Sequence, residues 1–165
     1  MDKEDKKCNN LEELKVEYEK LRSKYDLPDF SELNELFDIE EIDIETEFLL
    51  RRVRRVVADK TTNYLRFVEI ILNPSNSPLF FFNLIKKLNS KDKEILTGLY
   101  EELGKVEVET IALDLEYSEE KEAEFIKNLY NVFKHKIRIE LLGVIRKLSE
   151  NSDNKKKENG GSYFG

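Results

Sequence analysis

From a Ser118 cap to about Ser149 the apolar residues Phe125, Ile126, Leu129, Phe133, Ile137, Leu141, Val144 and Leu148 recur at short helical intervals. Such spacing lines side chains along one face of an α-helix. A seam of this length commits the chain to helix-on-helix packing, because a long amphipathic helix in water needs partners that cover its whole stripe.

The same periodicity recurs upstream. Asn10 can cap a helix in which Leu11, Leu14, Tyr18, Leu21 and Tyr25 share a face, and Glu13 stands where a capping-box partner belongs. Thr46 to Leu72 reads as a second long helix closed by Asn73-Pro74, with Leu49, Val53, Val56, Val57, Tyr64, Phe67, Val68 and Ile71 on its apolar side. Shorter helices are predicted after Pro28, started by Asp29 or Ser31, and after Ser77-Pro78 in "LFFFNLI". Another is predicted from a Ser90 cap to Gly104, carrying Ile95, Leu96, Leu99 and Leu103.

Two stretches read ambiguously. "DIEEIDIE" alternates apolar and acidic residues as a strand would, and "KVEVETIALDLEY" alternates in part while Leu103, Val106, Thr110, Leu113 and Tyr117 also fit a helix. A lone strand is not stable. The first is therefore expected to be a connector and the second a helix. With only 3 Pro and 6 Gly, the chain has little turn chemistry for a many-stranded sheet, and 39% hydrophobic residues make it too apolar for disorder. The fold predicted is all-α: a single-domain antiparallel helical bundle of about five or six helices. It is expected to span residues 10–150, with disordered segments at 1–9 and 151–165.

Cys8 is the only cysteine, which excludes a disulfide within the chain and a cysteine zinc cluster. The N-terminal "MDKEDKKCNN" lacks the apolar core of a signal peptide, and no window approaches the roughly 20 apolar residues of a membrane span. A cytoplasmic protein with no membrane association is expected.

Charge is distributed in blocks. Residues 1–47 hold 17 acids and 7 bases, 48–93 hold 3 and 10, 94–126 hold 11 and 2, and 127–165 hold 4 and 9. The net values, -10, +7, -9 and +5, sum to the chain's -7. Sequence neighbours become spatial neighbours in an antiparallel bundle, so basic blocks are expected beside acidic ones. The densest basic feature is "FLLRRVRRVV". On a helical wheel Arg51, Arg52, Arg54 and Arg55 fall opposite the apolar stripe and form an outer face, with Glu47 and Asp59 as local ion-pair partners. Four arginines on one arc can also make forked contacts to anions. Nucleic acid is disfavoured by the acidic balance and by the lack of interleaved aromatics, which leaves an acidic protein surface as the better partner.

Other chemistry finds little support in the sequence. His135 is the single histidine and lies between two lysines. It rules out the paired Glu-x-x-His motifs of two-metal bundles. Glu116, Glu119 and Glu120 could hold a divalent cation, yet glutamates at a helix start also complement its positive end. Lys60 interrupts the apolar stripe of its helix. Phe80, Phe81 and Phe82 are core, or else a docking or dimer contact. Tyr163 and Phe164 end a Gly-containing tail that could carry a short binding motif. These readings predict a non-enzymatic protein-interaction or scaffold protein without cofactor, binding another protein or itself. The partner-binding candidates are Arg51, Arg52, Arg54, Arg55, Phe80, Phe81 and Phe82. The alternatives are anion or nucleic-acid binding through the arginine face and, behind that, a carboxylate-metal enzyme.

Overall fold

Helix α3, Leu49–Leu72, is the axis of the molecule, and in this computed structural model it packs against helices both before and after it in the chain. The structure describes residues 3–43, 48–76 and 79–158. Before α3 come α1 (Lys3–Tyr25), α2 (Phe30–Phe37) and a 3-10 turn at Ile39–Glu41. After it come α4 (Leu79–Ile85), α5 (Ser90–Leu115), α6 (Glu119–Val132) and α7 (Arg138–Glu158). No strand occurs among the described residues, so the architecture is an all-α bundle. The described part of "DIEEIDIE" is a turn whose Ile39 and Ile42 are buried.

Consecutive long helices alternate in direction. Arg51 at the start of α3 lies beside Leu113 and Asp114 at the end of α5, while Lys136 and Lys147 reach back to Glu102 and Asp92. Helix α5 is therefore antiparallel to both α3 and the α6–α7 unit, and those two run in the same direction, as the pairs Arg54–Glu122 and Tyr64–Phe133 require. Leu14, Tyr18, Leu33, Phe37, Val53, Val57, Leu96, Leu99, Ile126 and Ile137 are among the residues that fill the space between them.

The helix ends correct several expectations. Asn89, rather than Ser90, caps α5: its side chain accepts from Asp92 N–H, and Asp92 returns the bond to the Asn89 N–H. Gly104 does not end that helix. The "KVEVETIALDLEY" segment is helical as predicted, but it continues α5 without a break to Leu115. The glycines that the structure describes take no left-handed conformation, so Gly104 cannot act as a terminator. That task falls to Asp26 and Asp38, at φ 56 and 54, which follow α1 and α2. Leu27 N–H bonding to the Arg22 carbonyl at 3.3 Å closes the first of these stops. Asp29 starts α2 without a side-chain cap, its carboxylate pairing with Arg22 instead. Ser118 caps α6 as predicted. Helix α1 begins at Lys3 and α7 extends to Glu158, so helix reaches into both terminal segments read as disordered; residues 1–2 and 159–165 lie outside the described ones.

Helices α6 and α7 are one rod joined through a π turn at Phe133–Ile137, in which Arg138 N–H bonds the Phe133 carbonyl five residues back. The sequence contains its cause. Leu129, Phe133, Ile137 and Leu141 are separated by three successive steps of four, and all four are buried. In a regular helix those steps would rotate the stripe by about 120°. The wider turn takes up one extra residue and keeps all four facing the core.

Gly98 and Gly143 sit exposed in the interiors of α5 and α7, and a Cβ at either would meet no atom within 4 Å. Gly98→Ala and Gly143→Ala should each stabilise the fold by about 0.5–1 kcal/mol. Urea unfolding followed by circular dichroism checks this, and a lowered midpoint for both would contradict the helical register.

Candidate functional site

The four arginines are not one solvent face. Arg54 is fully buried, and it shares the inner side of α3 with Leu50, Val53, Val57 and Ala58. Its Nε donates to Glu122 at 2.7 Å and its Nη2 to Asp114 at 2.6 Å, so one guanidinium ties α3 to both α5 and α6. Glu122 is itself fully buried. Burial opposes the charge on Arg54, but hydrogen bonds to Glu122 and Asp114 outweigh it and hold the guanidinium protonated. The Arg54 bond, seconded by Arg55, holds the Asp114 carboxyl below its ordinary value.

The neighbouring arginines extend this junction. Arg55 donates to Asp114 at 3.0 Å, rather than pairing with Asp59 as expected. Arg51 donates to the carbonyls of Leu113 and Asp114 at 3.4 and 3.3 Å, satisfying groups that the end of α5 leaves open. Its guanidinium also lies 5.0 Å from the Tyr117 ring centroid, and Phe48 meets that ring edge-on. Arg52 is exposed and has no ion pair among the described residues. Glu47, the other expected partner, lies outside the described residues. The wheel failed at Arg54 because the buried arc of α3 is wide enough to take in a charged residue.

Phe81 and Phe82 are half-buried on α4, and the side chain of Phe80 lies outside the described residues, as do Ser77 and Pro78. His135 is exposed within the π turn. The carboxylates at the start of α6 are engaged separately: Glu119 accepts from Tyr25 and Lys24, Glu120 from Ser118, and Glu116 pairs with Lys121. Among the described residues no group of three or more His, Cys, Asp or Glu is placed to hold a metal ion. No helix of the described residues is long and apolar enough to cross a membrane.

A different surface stands out. On α5, Leu96, Leu99, Leu103 and Leu113 are buried, but Val108, Ile111 and Leu115 are 69%, 55% and 84% exposed. With Tyr100 and Gly104 they form a second apolar row, rotated from the buried one by roughly 130° about the helix axis. Single exposed apolar residues are ordinary, but several in register on one helix are not. Glu101 and Glu107 border the row within the acidic block 94–126. The ambiguous pattern of "KVEVETIALDLEY" was this row's trace. One helix carrying two apolar stripes reads as partial alternation.

The fold and this surface define an all-α bundle with a buried ionic junction and an apolar row along one helix. Comparison with protein-family models, with curated proteins and with solved structures finds no match.

Removing one partner of the buried pair leaves the other charge without compensation. Arg54→Met should cost about 3–5 kcal/mol, and the double change Arg54→Met with Glu122→Leu should recover most of it. Urea titrations of the single and double variants test this; equal losses that simply add would mean the pair is not coupled. Asp114, Asp92 and Glu119 are all held below their ordinary values, chiefly by hydrogen bonds from Arg54, Lys147 and Tyr25 respectively. Their folded values lie below the unfolded ones, so the stabilisation is complete above the ordinary carboxylate range near about 4 and is lost as pH falls through the folded values. Unfolding midpoints measured from about pH 6 to pH 2.5 should drop on the acid side, and Asp92→Asn should flatten part of that drop.

Proposed function

We propose that the chain is a non-enzymatic protein–protein interaction module whose docking surface is the outer row of α5. The observation that supports this best is the exposure of Val108, Ile111 and Leu115 on a helix whose opposite side is already packed. Aligned apolar residues at helical spacing suit the helix-in-groove mode of recognition, in which an amphipathic helix lays its own apolar stripe alongside. The acidic border at Glu101 and Glu107 favours a partner helix with basic flanks. A second copy presenting the same acidic block would meet repulsion, which makes a different protein the better occupant.

Anion or nucleic-acid binding through the arginines has less support. Arg54 is consumed inside the fold, Arg55 pairs with Asp114, and Arg51 is turned toward the end of α5. What remains is mainly Arg52. A carboxylate-metal enzyme has less again, because Glu116, Glu119 and Glu120 each point to a separate partner.

The test places a photo-crosslinking residue at position 108, which is exposed in the same row, and compares this protein with one that also carries Ile111→Glu/Leu115→Glu. Both sites are exposed, so the variant should keep its circular dichroism and melting temperature while its crosslinks to a partner protein fall at least tenfold. Sedimentation should report a monomer for the protein alone. Crosslinks that persist in the variant, or recovery of nucleic acid released by high salt, would sink the reading.

A further inference from the structure

Between α2, α3 and α7 lies a cavity of about 280 Å³, remote from the α5 row and independent of the function proposed for it. Its walls are Leu36, Tyr64, Phe133 and Leu141, with Leu142 and Ile145 continuing them along α7. Two cations border it, with the carboxylate residue Glu35 beside them. Lys60 is the residue that interrupts the apolar stripe of α3, and its side chain is partly buried, with its ammonium at the surface beside Asp38; Arg138 opens α7. Each is paired to a carboxylate that faces solvent: Lys60 to Asp38, 65% exposed, and Arg138 to Glu35 at 3.6 Å, 70% exposed. Exposed pairs of this kind exchange partners at little cost.

The π turn, which keeps the apolar stripe on the core, also shapes this cavity. Phe133 is both the turn's first residue and part of the cavity wall, its ring tilted against that of Tyr64 with centroids 5.6 Å apart. Arg138 follows its last residue. Such turns are rare overall but frequent at functional sites. Here the extra residue sets the ring and the guanidinium on the same cavity.

We propose that this cavity binds a small amphiphilic carboxylate. Its hydrocarbon part lies against Leu36, Tyr64, Phe133 and Leu141, and its carboxylate sits between Lys60 and Arg138, displacing Asp38 and Glu35 into solvent. An apolar wall with a few convergent polar groups is the usual make-up of a small-molecule site, and a cavity of 280 Å³ falls just below the roughly 300–1,000 Å³ that sites for drug-sized ligands occupy. A short or medium chain is the matching size.

The experiment titrates the full chain, labelled for two-dimensional amide NMR, with octanoate and in parallel with octan-1-ol. Saturable shifts centred on residues 36, 60, 64, 133 and 141 are expected with octanoate. Lys60→Met/Arg138→Gln should weaken octanoate binding at least tenfold and leave the weaker binding of the alcohol unchanged. Because His135 is exposed and lies within the turn, deleting it should restore a regular helix, leave the melting temperature near that of the parent, and weaken both ligands. Non-saturable shifts, shifts centred on the α5 row, or equal affinity for acid and alcohol would overturn the proposal. A deletion variant that folds and binds as the parent does would overturn the part assigned to the π turn.

Discussion

The pairing of Arg54 with Glu122 is the interaction on which the arrangement of the long helices depends. Two opposite charges removed from water are tolerated only if most of their hydrogen bonds are made. Here one guanidinium reaches Glu122 on α6 and Asp114 on α5 together, its Nη1 alone lacking a partner among the described residues. Apolar contacts are permissive about register, since neighbouring leucines can replace one another. A buried ion pair is not. Sliding α3 by one turn against α6 would strand two charges in the core, so the pair selects one alignment from the several that the apolar stripes allow.

The same logic is repeated more gently at the surface. Lys136 pairs with Glu102, Lys134 with Glu32, Arg138 with Glu35 and Lys60 with Asp38, each joining a basic stretch to an acidic one. Any one of these exposed pairs contributes little. As a set they are mutually consistent, so an alternative topology would bring like charges together along whole helices. The block alternation of the sequence is a specification of neighbours.

Much of this was legible beforehand, and the failures are informative. The all-α class, the Ser118 cap and the helical reading of residues 105–116 followed from periodicity and from the lack of any strand partner. The location of the arginines did not. A helical wheel assumes one narrow buried arc, whereas α3 lies between several helices and buries a wide one. A charged residue at the edge of the stripe then goes inward if a partner waits there, and Glu122 is 68 residues away. The outer row of α5 was missed for the converse reason, since two stripes on one helix cancel in any measure of amphipathicity. The π turn left a visible trace in its run of four-residue steps, which a reading confined to mixed three-and-four spacing passes over.

Helix α5 illustrates what such an arrangement implies for the integrity of the whole. It carries Gly98 and Gly104 in its interior, together with Val106, Val108, Thr110 and Ile111, all poorer helix formers than alanine or leucine. Intrinsic propensity gives a segment of this composition little helicity in water. Its regularity over residues 90–115 is imposed from outside, by α3 and α7 along its flanks, the Asn89 capping box at one end and Arg51 at the other. A helix sustained in this way has no subunit of stability to itself. It melts when its neighbours leave, and they lose their longest shared surface when it does, so cooperativity in this molecule has its source in its least autonomous part.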